Sequence, residues 1–295
     1  MNKEPVPKDL KSAPTKNRVS CVLPTYNEKE NIGRLIDELV RHIDRDFELV
    51  VVDDNSPDGT GTLVAEKSRL NSRIRLINRM DKRGLTSAIW DGIQASTGSI
   101  IVWMDVDLSM PPAKIPELIQ KVEEGYDIAV GSRFVKGGGS KGRSADGGPD
   151  TLWGILKRLK TSEDSILAVV LSRMLNVFIG LCLDRSFKDY TSGFIACKRE
   201  VFDRIHLRGD YGEYFIDLIY RALKMGLRVV EVPYVCLPRE FGVSKTGTGW
   251  TDYLRRGTKY IRVTLRLKWK FRSSSFGCSV RGGIGVTAWL SRSVQ

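Results

Sequence analysis

The sequence predicts an α/β fold: a mostly parallel sheet with flanking helices. Three observations predict it. Short apolar, often β-branched runs recur at Val19–Leu23, Phe47–Val52, Ile74–Ile77, Ile100–Met104 and Tyr126–Gly131, each reading as a strand, and the longer ones as strands buried on both faces. Between them apolar residues repeat at helical spacing. Strand and helix then alternate with short connections, as a parallel sheet requires.

Taken in order, Val19–Leu23 is stopped by Pro24. Asn27 followed by Glu30 reads as a helix cap, with Asn27 accepting from the first helical N–H groups. Ile32, Leu35, Ile36, Leu39, Val40 and Ile43 lie at i, i+3, i+4, i+7, i+8 and i+11, the pattern of an amphipathic helix. Phe47–Val52 ends in Asp53-Asp54-Asn55-Ser56, Pro57-Asp58-Gly59 turns the chain, and a helix follows to about Leu70. After the strand Ile74–Ile77, a helix face carries Leu85, Ala88, Ile89, Gly92 and Ile93. The strand Ile100–Met104 precedes a helix from Pro112 to Glu124 and the strand Tyr126–Gly131.

Ile100–Met104 runs straight into Asp105-Val106-Asp107. An unpaired buried carboxylate costs several kcal/mol, so the pair belongs just past the strand's C-terminal end. In an open α/β sheet that edge binds ligands. Two hard oxygen ligands there suit Mg²⁺ or Mn²⁺ carrying a diphosphate. Tyr26-Asn27-Glu28 and Asp53-Asp54-Asn55 end two other strands, so polar and acidic groups gather at one edge. Asp53 by itself could instead cap the turn that follows.

Formal net charge is +12, which favours anionic partners: a phosphate-bearing substrate, a membrane surface or nucleic acid. Cys21, Cys182, Cys197, Cys236 and Cys278 are scattered and never form a C-x-x-C pair, which argues against a disulfide framework or zinc site and for a reducing compartment. The two histidines, His42 and His206, read as structural or exposed, so acid–base catalysis by His is not expected. Residues 1–17 are polar, lack a signal-peptide pattern and read as a disordered lead-in.

Residues 137–149 are Gly-rich and serve as either a linker or a substrate lid. Leu152–Leu159 reads as a short helix. Ile166–Leu183 is apolar but interrupted by Ser172, Arg173 and Asn176, short of a clean span, and reads as a helix on the sheet or at a membrane surface. Asp189–Phe194 is a loop feeding the strand Ile195–Cys197. Phe215, Leu218, Ile219, Ala222 and Leu223 form a helix face ending near Gly226, and Val229–Val235, holding Pro233, reads as an edge strand. Residues 251–272 interleave basic side chains with Tyr253, Tyr260, Leu265, Trp269 and Phe271, the composition of an amphipathic helix on an anionic bilayer, although docking on the domain is the plainer use of such a helix. Residues 273–295 are expected to be disordered, and residues 18–250 to form the catalytic domain.

Val22-Leu23-Pro24-Thr25-Tyr26-Asn27-Glu28, Asp53-Asp54-Asn55-Ser56-Pro57-Asp58-Gly59-Thr60, Lys82-Arg83-Gly84-Leu85 and Asp105-Val106-Asp107 together resemble the family 2 glycosyltransferases. Gly131-Ser132-Arg133, Asp189-Tyr190-Thr191-Ser192-Gly193-Phe194 and Arg239-Glu240-Phe241-Gly242-Val243-Ser244-Lys245 resemble its dolichol-phosphate mannosyltransferase, or polyprenyl-phosphate glycosyltransferase, branch. The resemblance covers roughly residues 19–250. It implies a glycosyltransferase A type (Rossmann-like) fold, a nucleotide-sugar donor, Mg²⁺ or Mn²⁺, and inverting transfer onto dolichyl or another polyprenyl phosphate.

It also implies roles. Asp105 and Asp107 hold the metal with Ser109, which stands where many members carry Gln; Asp107, Arg239 and Lys245 are the catalytic set. Pro24, Tyr26, Glu28 and Asp54 lie by the nucleoside, and Lys82, Val106 and Arg133 also belong to the donor site, though Arg133 could instead pair with a nearby Asp. Ser244, Lys245 and Arg173 meet the acceptor phosphate, and Asp189 orders its loop through Thr191 and Ser192. Because the acceptor phosphate is already anionic, no general base is needed. With no spanning helix in sight, the chain is expected to sit peripherally on the cytoplasmic face of a membrane. It would be held there by its basic C-terminal helix, by helix 166–183, or by a membrane-anchoring partner. GDP-mannose is the expected donor, with UDP-glucose and a non-catalytic nucleotide-sugar-binding subunit as alternatives. Nucleic acid is not an expected partner, because the positive charge collects at the C-terminus and no nucleic-acid motif occurs.

Overall fold

A computed structural model of the chain describes residues 15–139, 166–239 and 250–276. The strands are β1 (Thr15–Thr25), β2 (Phe47–Asp53), β3 (Ile74–Asn78), β4 (Gly98–Trp103), β5 (Ile128–Ser132), β6 (Ile195–Lys198) and β7 (Val229–Pro233). The longer helices are α1 (Lys29–His42), α2 (Thr60–Leu70), α3 (Leu85–Ala95), α4 (Ile115–Glu123), α5 (Ile166–Cys182), α6 (Glu213–Lys224) and α7 (Trp250–Phe276). The strands form one seven-stranded sheet in the order β3-β2-β1-β4-β6-β5-β7. All neighbours are parallel except β6, which runs antiparallel to both β4 and β5. β7 lies at the edge, where its Pro233 costs no central ladder bond.

Alternation along the strands splits the core in two. Cys21, Leu23, Leu49, Val51 and Val102 face α1 and α4 through Ile32, Leu35, Ile36, Leu39, Leu118 and Ile119. Val22, Val50, Val52, Ile101 and Trp103 face the other way, onto Ala88, Ile89 and Ile93 of α3 and the buried side chains of α6. Gly92 lets α3 sit close on the sheet: a Cβ there would lie 2.4 Å from Val22 Cγ1. On this second face α7 packs over α6, with Leu267 and Thr264 buried and Phe271 edge-on to Tyr220 at 5.4 Å.

Several sequence expectations change here. β1 starts at Thr15, inside the stretch read as a lead-in, and α7 runs on to Phe276, past the boundary expected at 272. Asn27 does not cap α1. Its backbone is left-handed (φ 53°), and the first helical amide, Lys29 N–H, donates instead to Asp58 Oδ2 at 3.0 Å. The helix expected at 152–159 and the terminal stretches 1–14 and 277–295 lie outside the described residues, as does the Gly-rich stretch from 140 onward.

Glu48 was read simply as part of a strand, yet it is 1% exposed. Its carboxylate accepts from the Ser20 hydroxyl (2.7 Å), the Thr97 amide (2.5 Å) and hydroxyl (2.8 Å), and Arg75 (3.0 Å). Burial alone would raise its pKa; the Thr97 and Ser20 hydrogen bonds and Arg75 outweigh burial and hold it below the ordinary value. A depressed pKa contributes stability that is present above the unfolded-state value, about 4.3, and lost as pH falls through the lower folded value. Glu48→Gln is therefore expected to lose about 1–3 kcal/mol of unfolding free energy at pH 7, with the gap to the parent closing below about pH 4. Urea titrations from pH 7 to pH 3 would show this; a gap that stayed constant to pH 3 would contradict it.

Candidate active site

The site lies along the sheet edge where β1, β2, β4 and β5 end. β6 runs the other way, so the loop that enters it, residues 184–194, arrives at this same edge. An antiparallel strand thus brings Asp189 and Thr191 beside loops that leave parallel strands.

Two neighbouring loops are laced together. Asn27 N–H donates to Ser56 Oγ (2.9 Å) and Glu28 N–H to Thr60 Oγ1 (3.0 Å). Asp53 accepts from Thr25 Oγ1 (3.0 Å) and from the Ser56 amide (2.9 Å) and hydroxyl, so it orders the turn after β2. Asp54 is buried and committed: Oδ1 meets Arg79 Nε at 2.7 Å and Oδ2 accepts the Gly84 amide at 2.8 Å. Arg79, 5% exposed, also reaches Ser87 (2.9 Å), Asp91 (3.1 Å) and the Gly84 carbonyl (3.0 Å). Sequence reasoning missed Arg79; the signal was available, since it follows β3 at the same edge. The network fixes the loop that carries Lys82 and Arg83. Lys82 is exposed, 3.6 Å from Asp91, and the Arg83 guanidinium lies over the Tyr26 ring at 5.2 Å. Pro24 pairs with Val52 in the β1–β2 ladder, just before Tyr26.

The loop after β4 is wound tightly. Leu108 is left-handed (φ 61°), which for a branched non-Gly side chain costs about 1–3 kcal/mol. Such strain persists only where the surroundings impose it, and here Val106, Leu108 and Met110 are all buried. The turn lets Asp107 Oδ1 accept the Ser109 amide at 3.0 Å while Oδ2 meets Arg239 Nη2 at 2.6 Å. Asp105 is exposed to solvent, but the protein packed around it and then the neighbouring Asp107 push its carboxyl up to about 7, against the lowering pull of Arg239. Glu28 and Arg133 act on the same carboxyl, raising and lowering it respectively. Behind it Trp103 Nε1 donates to the buried Tyr214 hydroxyl at 2.9 Å, a second residue that sequence reasoning missed.

On the far side of this edge Arg133 is gripped by Asp189. Nε and Nη2 donate to its two oxygens at 2.9 and 2.7 Å, and the Arg133 amide adds a third bond at 2.9 Å. Nη2 also reaches Thr191 Oγ1 (2.9 Å), which accepts from Asn176 Nδ2 of α5 at 2.8 Å. Among the described residues Nη1 is the guanidinium nitrogen without a hydrogen bond. The alternative reading of Arg133, pairing with an Asp, is thus the contact observed, and the Asp189 carboxylate is taken mainly by Arg133 rather than by Thr191 and Ser192. Arg173 is exposed on α5, and Ser244 and Lys245 lie outside the described residues.

The donor chemistry fits a divalent cation. Two oxygen-bearing side chains two residues apart repel each other, and a guanidinium already stands as a cation on one of them. The described residues hold no group of three or more His, Cys, Asp or Glu placed for a metal. Asp105 and Asp107, with Ser109 beside them, are the residues here that could hold a divalent cation, which would take its remaining ligands from outside this set.

Residues 20–205 match the family model described as glycosyl transferase family 2. The chain is 34% identical over 242 residues to the dolichol-phosphate mannosyltransferase of Pyrococcus furiosus, covering 81% of this chain and 62% of that protein. It is 36% identical over 235 residues to the polyprenol monophosphomannose synthase of Mycolicibacterium smegmatis, covering 77% of this chain and 80% of that protein. Among solved structures, the glucosyl-3-phosphoglycerate synthase of Mycobacterium tuberculosis, in complex with Mn²⁺, UDP-glucose and phosphoglyceric acid, superposes with a TM-score of 0.59 at 19% identity, over 85% of this chain and 79% of that one. Another structure of that synthase, with Mg²⁺ and UDP, gives a TM-score of 0.57 at 20% identity, over 85% and 79%. The sheet and its helices are thus of the glycosyltransferase A type. The chain belongs to glycosyl transferase family 2.

Proposed function

We propose that this chain transfers mannose from GDP-mannose to the phosphate of dolichol or another polyprenol, with inversion at the sugar's anomeric carbon. The observation that carries the reading is that one sheet edge joins a carboxylate pair needing a cation to arginines suited to anions. The names of the relatives supply the sugar and the lipid class.

In this reading Asp105 and Asp107 hold Mg²⁺ or Mn²⁺, with Ser109 as a further oxygen. When bound, the metal neutralises charge on the departing diphosphate. Tyr26, Glu28, Pro24 and Val106 line the donor side, and Asp54 acts through Arg79 and Gly84 to set the loop of Lys82 and Arg83. Arg133, oriented by Asp189, presents Nη1 to a phosphate. Arg239 and Lys245 serve the transfer, with Ser244, Lys245 and Arg173 toward the acceptor. The acceptor phosphate attacks without a general base, which agrees with the placement of the histidines: His206 packs on Trp90 at 4.0 Å, and His42 lies 3.3 Å from Glu38.

No helix among the described residues is long and apolar enough to cross a membrane. In this reading the lipid is met by exposed apolar side chains on α5, namely Met174, Val177 and Leu181, and on α7, where Leu265 is accompanied by Trp269 at 81% exposure. Exposed Arg262, Arg266, Lys268 and Lys270 on α7 suit anionic headgroups.

The test is to incubate purified protein, Mn²⁺ and radiolabelled GDP-mannose with anionic vesicles carrying polyprenyl phosphate. Lipid-extractable label is expected. The protein should sediment with the vesicles, and the double variant Leu265→Glu, Trp269→Glu should stay in the supernatant. A second reading, UDP-glucose as donor, is favoured by the UDP-glucose complex of the structural neighbour; label from that donor alone would replace mannose by glucose. Label from neither would refute the transfer.

A further inference from the structure

Both oxygens of the Asp107 carboxylate already have a donor. The Ser109 amide takes Oδ1 at 3.0 Å, and the Arg239 guanidinium takes Oδ2 at 2.6 Å. The arginine is delivered there by the backbone. Leu237 N–H donates to the Ser109 carbonyl at 2.9 Å, and Val235 bridges to Gly139, so the segment after β7 is stitched directly to the aspartate loop. The pair is well sheltered, with 23% of the Arg239 and 8% of the Asp107 side chain exposed.

A guanidinium at 2.6 Å and a divalent cation cannot both sit on Oδ2 without strong like-charge repulsion. We propose that Arg239 is a built-in counter-cation for the aspartate pair. It holds Asp107 while the metal site is empty, it must leave for a divalent cation to bind, and it thereby lowers the intrinsic metal affinity of the empty site. A nucleoside diphosphate offers the displaced guanidinium another anion. Arg239 therefore couples metal binding to nucleotide binding, and the coupling is reciprocal. This inference rests on the reading of Asp105 and Asp107 as metal ligands, but it needs no transfer activity to test.

The experiment is a titration with Mn²⁺ alone, followed by the electron paramagnetic resonance signal of free Mn²⁺, and repeated with saturating GDP. Without GDP, Arg239→Gln is expected to bind Mn²⁺ roughly tenfold more tightly than the parent, a change of about 1.4 kcal/mol. With GDP the gap should narrow. Asp107→Asn should bind no Mn²⁺ at this site, alone or combined with Arg239→Gln. If Arg239→Gln fails to fold, Arg239→Met, which keeps an unbranched apolar stem and removes the charge, should shift affinity in the same direction. Affinity unchanged or weakened in the folded variant, with binding still abolished by Asp107→Asn, would overturn the counter-cation while leaving the metal assignment intact. Mn²⁺ binding that survives Asp107→Asn, or no binding in any variant, would overturn both.

Discussion

Asp107→Ala is expected to lower the rate of sugar transfer on the order of 10³-fold, because a metal at a developing diphosphate stabilises the transition state by several kcal/mol and each 1.36 kcal/mol is a factor of ten. The loss should fall on kcat. The substitution also strips Arg239 of a sheltered partner and so costs stability, which is why the rate is compared in folded protein only. The measurement is lipid-extractable label per unit time from vesicle-borne acceptor, alongside thermal melting. A rate within tenfold of the parent in a folded variant would remove Asp107 from the metal site.

The second large effect concerns stability. Asp189 is fully buried and its partner Arg133 is 18% exposed. Asp189→Ala would leave the guanidinium buried against Phe134 without its anion, and breaking one side of such a pair typically costs about 3–5 kcal/mol. For a chain of this size that corresponds to a melting point lowered by roughly 10 °C. Replacing both members by apolar residues, Asp189→Leu with Arg133→Met, should return much of the stability, since a buried pair is often no better than a well-packed apolar one. It should not return transfer. Recovery of both would make the pair purely structural; recovery of neither would show that Thr191 and Asn176, which share the network, depend on it for packing.

Much of this fold was legible before any coordinates, and the reason is periodicity. Leu49 to Val52 alternate between two cores, so an unbroken apolar run could only be a strand covered on both sides. The acids at strand ends were legible for the converse reason: Asp105 and Asp107 follow an apolar run that would not tolerate them inside. The direction of β6 was not legible, because four residues carry no sign of which way they run. Nor was the division of labour between Asp53 and Asp54. Both follow one strand, and only the three-dimensional placement of Thr25, Ser56 and Arg79 tells a turn-former from the anchor of a neighbouring loop. Asn27 misleads because residue type alone suggests a cap, whereas the acceptor that takes the Lys29 amide, Asp58, comes from the next loop along. Arg79 and Tyr214 were overlooked because each lies in an element whose own pattern was already explained as strand end or helix face.

The double role of α7 bears on how the molecule can be handled and how it ages. One side of the helix shows Trp269 to the exterior; the other seats Leu267 and Thr264 in the interior and clasps Tyr220 through Phe271. Under the membrane contact proposed above, the helix that would meet the surface is also one that closes the fold. Drawing it away from the domain would uncover Leu267, Thr264 and the Phe271–Tyr220 contact. Removing the helix by cleavage ahead of Trp250 would therefore leave apolar surface of the second core exposed.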